Sequence, residues 1–190
     1  MILYLHGFRS SPQSMKAQLM AKAMADRDLA DHFFMPQLPS SPAEAMALCS
    51  DIISKNHNQN HPLTIIGSSL GGYYATYLAE QNNCQAVLIN PATYATRDLS
   101  TQLGPMTYFY DDTPFEFTLA NLHELEALFQ PKITAERYFL LAGDRDEILD
   151  WQEMAKRYDG AKQIIVPGAT HSFDCFGDYI KDILAFAHYA

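Results

Sequence analysis

With 190 residues, 48% of them hydrophobic and 18% charged, the chain has the composition of an ordinary globular protein, long enough to bury about 70% of its unfolded surface in one core. A net charge of −9, from 22 acids against 13 scattered Lys and Arg, offers no basic patch to neutralise phosphates, so nucleic acid is not an expected partner. No apolar run reaches the roughly 18 residues of a membrane span, and an odd set of cysteines (Cys49, Cys84, Cys175) without metal-type spacing, behind a start lacking a basic leader, reads as a reduced, cytoplasmic protein with no membrane partner.

Along the chain, short apolar runs alternate with longer segments of helical periodicity. A strand is predicted at 2–5 (ILYL), then a helix at about 12–28 and a strand at 33–36 (FFMP). Ser41 and Pro42 supply an N-cap and a first-turn proline for a helix at 42–57. A strand at 63–67 (LTIIG) runs into a helix at 70–82, and a strand at 86–90 (AVLIN) follows. Strands at 138–143 (YFLLAG) and 163–168 (QIIVPG) flank a helix at 149–158, and a last helix is expected at 175–188. Because these six runs are continuously apolar, both faces of their sheet should be covered, which predicts an α/β fold with a mostly parallel sheet and helices on each side. Residues 91–137 are too long for a simple crossover and carry one further helix at about 116–129. Rich in aromatics, with acids and no Lys or Arg between Arg97 and Lys132, the segment reads as a lid or insertion over the carboxyl edge of the sheet. With no repeat or linker, one domain spanning 1–190 is expected, its lid or insertion at 93–137.

The stretch IIGSSLGG holds G-x-S-x-G between a strand and a helix, the context in which that pattern denotes a nucleophile elbow. The turn requires small residues two before and two after its serine. Gly67 and Gly71 flank Ser69 in this way, whereas Ser68 would be flanked by Ile66 and Leu70, so Ser69 is the candidate nucleophile. A serine hydroxyl needs a base and an acid to orient it. Of the seven histidines, His171 follows the last strand on a Gly-containing loop at the carboxyl edge. His32, His57, His61, His123 and His188 fall in polar or helical settings, and His6 belongs to the loop after the first strand as a brace, or as an alternative base. The acid is sought after the penultimate strand, in GDRDEILD, which offers Asp144, Asp146, Glu147 and Asp150: Asp146 is preferred, with Asp144 as the alternative that could instead shape the loop through backbone N–H groups. The order Ser, Asp, His is that of an α/β-hydrolase. Oxyanion donors are expected from the N–H of Leu70 and from the first loop, LHGFRSSP, where Phe8 is preferred and Arg9 is next. This chemistry requires no metal or organic cofactor.

The ordered motifs LYLHGFRSSP, IIGSSLGGYYATYLAE, LINPA, GDRDEILD and GATHSFDCFGDYI together resemble the YqiA-type short esterases, bacterial α/β-hydrolases grouped as an uncharacterised protein family. The resemblance implies a compact α/β-hydrolase acting on acyl esters and acyl thioesters, acyl-CoA included. It carries the nucleophile to Ser69, the base to His171 and the acid to Asp146, while the Asp-Arg-Asp-Glu run departs from the common pattern. The expected function is a serine carboxylester hydrolase with a small-molecule ester or thioester substrate. The alternatives are a ligand-binding protein on a hydrolase scaffold, because fold alone does not guarantee chemistry, or an amide or peptide hydrolase. The aromatics of 91–137 could serve as core or as an acyl-binding wall.

Overall fold

The computed structural model describes residues 1–58 and 61–189. Its main sheet contains β1 (Ile2–Leu5), β2 (Phe33–Phe34), β3 (Thr64–Ser68), β4 (Gln85–Ile89), β7 (Tyr138–Gly143) and β8 (Lys162–Val166), arranged in the order β2-β1-β3-β4-β7-β8. Every pairing in it is parallel. The sequence order reverses direction at β1 and β3, the switch point at which open α/β sheets form a ligand crevice beyond the strands' carboxyl ends.

Alternate strand residues feed two cores, as a period of two demands. Leu3, Leu5, Ile65, Leu88 and Leu140 meet α2 (Pro42–Asn56), α3 (Leu70–Asn82), α5 (Leu119–Leu128) and α6 (Trp151–Arg157) on one face. Ile2, Tyr4, Ile66, Val87, Phe139 and Leu141 meet α1 (Met15–Ala25) and α7 (Ile180–Phe186) on the other. Both faces are therefore covered, which is why the strands carry no polar alternation.

Several boundaries differ from the sequence reading for local reasons. Strand β2 is only two residues long, since Pro36 cannot donate to a ladder and Pro39 follows. The expected last helix begins as a 3-10 turn, Asp174–Tyr179, which contains Gly177, a poor helix former, and becomes α-helical at Ile180. Between β4 and β7 lie a short α4 (Ala95–Leu99), an antiparallel hairpin of β5 (Gly104–Thr107) and β6 (Pro114–Phe117), and α5. The hairpin and α4 were not foreseen. The start of α5 is set by a capping box in which Thr118 and Asn121 exchange bonds, moving it inward from the expected 116. Arg97 of α4 makes a two-pronged ion pair with Glu153 of α6, at 2.9 and 2.7 Å, and holds this segment against the sheet's flank.

Cys49 and Cys84 are buried, their thiols pushed up to about 12 by desolvation, and Cys175 is half-buried. Among the described residues no helix is long and apolar enough to cross a membrane.

Candidate active site

Strand β3 ends in Ser68, α3 begins at Leu70, and Ser69 turns the chain between them at φ 56° and ψ −121°. The turn is that tight because nothing but hydrogen occupies the flanking Cα positions. A Cβ at Gly67 would stand 2.1 Å from the Gly71 carbonyl oxygen, and one at Gly71 would stand 2.1 Å from that of Leu5. Strand β1 and the start of α3 thus touch backbone to backbone. Backbone bonds to Ser69 from both sides, its N–H to Ile89 and its carbonyl from Gly72 and Ala92, hold the strained residue in place.

His171, on the loop after β8, brings Nε2 to 3.2 Å from the Ser69 hydroxyl. Its Nδ1 lies 2.8 Å from Asp146 Oδ2, and the Asp146 carboxylate is fully buried. A carboxylate only accepts, so Nδ1 carries the proton and Nε2 is left with a lone pair facing the serine. The other Asp146 oxygen accepts from the N–H groups of Ile148 and Leu149, both at 2.9 Å, which fixes the carboxylate. Asp144 is used differently: its Oδ1 accepts from Gly168 N–H at 2.7 Å and ties the β7 loop to the turn after β8. Of the two candidate acids, only Asp146 is joined to His171.

Two residues hold the histidine loop, Asn90, which the sequence reading gave no role, and Glu147, which it offered only among the acids of GDRDEILD. Asn90, fully buried at φ 41°, accepts from Gly143 N–H at 2.7 Å and donates to the carbonyls of Thr170 and His171 at 2.9 and 3.3 Å. Glu147 accepts from the His171 N–H at 3.0 Å, a bond that holds its carboxyl below the usual glutamate range. Asn90 was visible only as the asparagine of LINPA. An asparagine directly after an apolar strand tolerates positive φ, and that was the available signal.

The loop after β1 passes close over Ser69, since a Cβ at Gly7 would sit 3.2 Å from that of Ser69. Leu70 opens α3 and so has no intrahelical acceptor for its N–H. Among the described residues neither the Leu70 nor the Phe8 amide meets an acceptor. The Phe8 ring is anchored edge-on against Phe115 and Phe117 of the hairpin. His6 is a brace: Nδ1 bonds the Gly7 carbonyl at 2.9 Å and Nε2 accepts from Leu38 N–H at 3.1 Å, so both ring nitrogens are occupied away from Ser69. Burial holds its pKa below the ordinary histidine value, with the Gly7 bond opposing.

Ser69 and His171 open on a cleft of about 700 Å³, within the usual size of small-molecule sites. Its apolar wall is formed by Leu99, Phe109, Ile148 and Leu149. Of the aromatics of 91–137, Phe117 is core, and Phe109 lines the cleft while 70% exposed. Among the described residues no three His, Cys, Asp or Glu side chains gather as a metal site.

The model of an uncharacterised protein family, UPF0227, matches residues 1–188. A UPF0227 protein of Pectobacterium carotovorum subsp. carotovorum (strain PC1) is 23% identical over 188 residues, 98% of each chain. Among solved structures, alpha/beta hydrolase domain-containing protein 10 from mouse is similar with a TM-score of 0.73 at 16% identity, over 97% of this chain and 89% of that one. Monoacylglycerol lipase of Paleococcus ferrophilus gives 0.69 at 16% identity, over 100% and 94%. At such identities the structural likeness speaks for the fold, which is that of the α/β-hydrolases.

Proposed function

This chain belongs to the UPF0227 family and carries the α/β-hydrolase fold, and from that premise we propose that it is a serine carboxylester hydrolase working through an acyl-enzyme. The observation that carries the reading is the 3.2 Å approach of Ser69 Oγ to a His171 nitrogen whose ring is held from behind by the buried Asp146 carboxylate. In this reading Ser69 attacks the ester carbonyl as His171 Nε2 takes its proton. Asp146 keeps the proton on Nδ1 and stabilises the imidazolium that forms. The amides of Phe8 and Leu70 donate to the tetrahedral oxyanion, each worth roughly 2.7–4 kcal/mol of barrier. His171 then returns the proton to the leaving alkoxide, and a water activated by the same nitrogen releases the acid. Thioesters fit the same sequence of steps, with a thiolate leaving.

The test is hydrolysis of a p-nitrophenyl ester series by wild type and Ser69→Ala. Turnover in the variant is expected to fall by a factor on the order of 10⁶ in kcat, as for a triad acting as a unit. Wild-type turnover by the variant, or no labelling of wild-type Ser69 by a fluorophosphonate, refutes the reading.

A further inference from the structure

Glycine is the residue a turn takes where φ is positive, yet the turn that passes over Ser69 has an arginine there. Ser10 N–H donates to the Gly7 carbonyl at 3.2 Å and closes a four-residue turn whose third residue, Arg9, stands at φ 60°. That carbonyl and the Phe8 N–H, the donor proposed for the oxyanion, belong to one planar peptide, so whatever holds the turn also aims the donor. Ester hydrolysis gives Arg9 no work of its own, and it forms no ion pair among the described residues.

What Arg9 meets is the β5–β6 hairpin, at three points. Its carbonyl accepts from Phe109 N–H at 2.9 Å, its Nε donates to the Thr107 carbonyl at 2.6 Å, and its guanidinium lies 4.0 Å over the Phe109 ring. Beside it the Phe8 ring packs edge-on against Phe115 and Phe117. Both central residues of the turn are therefore docked on the hairpin. Two of the three contacts of Arg9 need its side chain, which a glycine would not supply.

The same hairpin borders the reaction space. Phe109 is largely exposed and, with Leu99, Ile148 and Leu149, forms the apolar wall of the cleft onto which Ser69 opens. In an acyl-enzyme the group bonded to Ser69 is the acyl chain, and an apolar chain laid along that wall removes itself and the Phe109 ring from water.

We propose that the hairpin couples the acyl chain to the oxyanion turn through Arg9: a chain resting on Phe109 steadies the ring and backbone that latch Arg9, and Arg9 holds the Phe8 N–H on the oxyanion. Arg9 is a positioning residue, Phe109 sets specificity, and the substrates favoured are esters of apolar acyl chains long enough to reach it. Binding energy from a remote part of the substrate is then expressed in the transition state, in kcat rather than in KM alone. Acylation and deacylation both pass through a tetrahedral oxyanion, so either step, when limiting, feels the latch. The inference rests on the hydrolase reading and deepens it.

The experiment measures kcat and KM for p-nitrophenyl acetate, butyrate and hexanoate, per site titrated with a fluorophosphonate, in wild type, Arg9→Ala and Arg9→Gly. Glycine adopts φ 60° without strain, so Arg9→Gly keeps the turn's backbone and lacks only the side-chain latch. In wild type, kcat should rise roughly fivefold or more from acetate to hexanoate. In both variants hexanoate kcat should fall and the acetate-to-hexanoate ratio approach one. A chain preference confined to KM in wild type, or a kcat ratio that Arg9→Gly keeps, overturns this inference alone. No turnover of any ester in the series by wild type, together with no labelling of Ser69, overturns the hydrolase reading and this inference with it.

Discussion

At φ 56° Ser69 occupies a region that side-chain-bearing residues enter at a cost of about 1–3 kcal/mol, and the surrounding backbone bonds hold it there. Its distinction from Ser68 was legible in the chain because the constraint is local: only the glycines at 67 and 71 let β3, α3 and β1 approach. The acid was less legible. Asp144 and Asp146 lie two residues apart on one loop with the same chemistry, and the loop's path alone sends Asp144 to Gly168 N–H and Asp146 to His171. Under the proposed mechanism the two therefore respond differently to the same substitution. Asp146→Asn should lower kcat on the order of 10⁴ by favouring the wrong imidazole tautomer. Asp144→Asn keeps an oxygen that can accept from Gly168 N–H, so it should reduce activity less than about tenfold and lower stability by less than the roughly 1 kcal/mol worth of one hydrogen bond. Steady-state kinetics and urea denaturation of both variants provide the check. Asn90 escaped notice because its partners, Gly143, Thr170 and His171, are 53 to 81 residues away and no local pattern connects them.

Among the elements, the strands and flanking helices were readable because burial on two faces writes continuous apolar runs, and the elbow because its turn excludes side chains. Gly71→Ala tests that exclusion: the new methyl would meet the Leu5 backbone at 2.1 Å, where no rotamer change relieves it. A loss at or above the roughly 3 kcal/mol top of the usual overpacking range is expected in denaturant melts. The hairpin of β5 and β6 was not readable, since two four-residue strands within an aromatic, acidic segment carry no period long enough to register. Its position depends on Arg9, itself at φ 60°, whose Nε donates to the Thr107 carbonyl at 2.6 Å and whose guanidinium lies 4.0 Å over the Phe109 ring. The same loop carries the proposed Phe8 donor, so the hairpin and the oxyanion amide are braced by one short piece of chain. Arg9→Ala should weaken the hairpin's protection by about 1–2 kcal/mol, read as faster amide exchange across 104–117 with little change in β3 and β4.

Over the whole molecule, two kinds of buried polar anchor make stability depend on pH. His6 is neutral in the fold, with its Nε2 needed as an acceptor, and burial depresses its pKa. The unfolded chain therefore binds the proton first. The stabilisation His6 provides is fully present above about 6.5, the ordinary histidine value, and is lost as pH falls from there through the depressed folded value. Glu80 acts lower: although burial pushes its pKa up, bonds from Thr134 and Tyr138 and the Arg137 charge outweigh that and lower it, so its contribution is lost only below the ordinary glutamate range. His6→Gln should remove the first loss and leave the second, seen as a flatter stability profile between pH 7 and 5 in urea titrations. The alternating apolar runs by themselves determined a parallel sheet covered on both faces, and the glycine spacing determined which serine turns the elbow, because both are written in adjacent residues. Which acid meets His171, how Asn90 and Glu147 hold the histidine loop and where the hairpin lies were decided only by tertiary structure. Each of these depends on where loops from opposite ends of the chain come to rest at one edge of the sheet, and no local pattern encodes that distance.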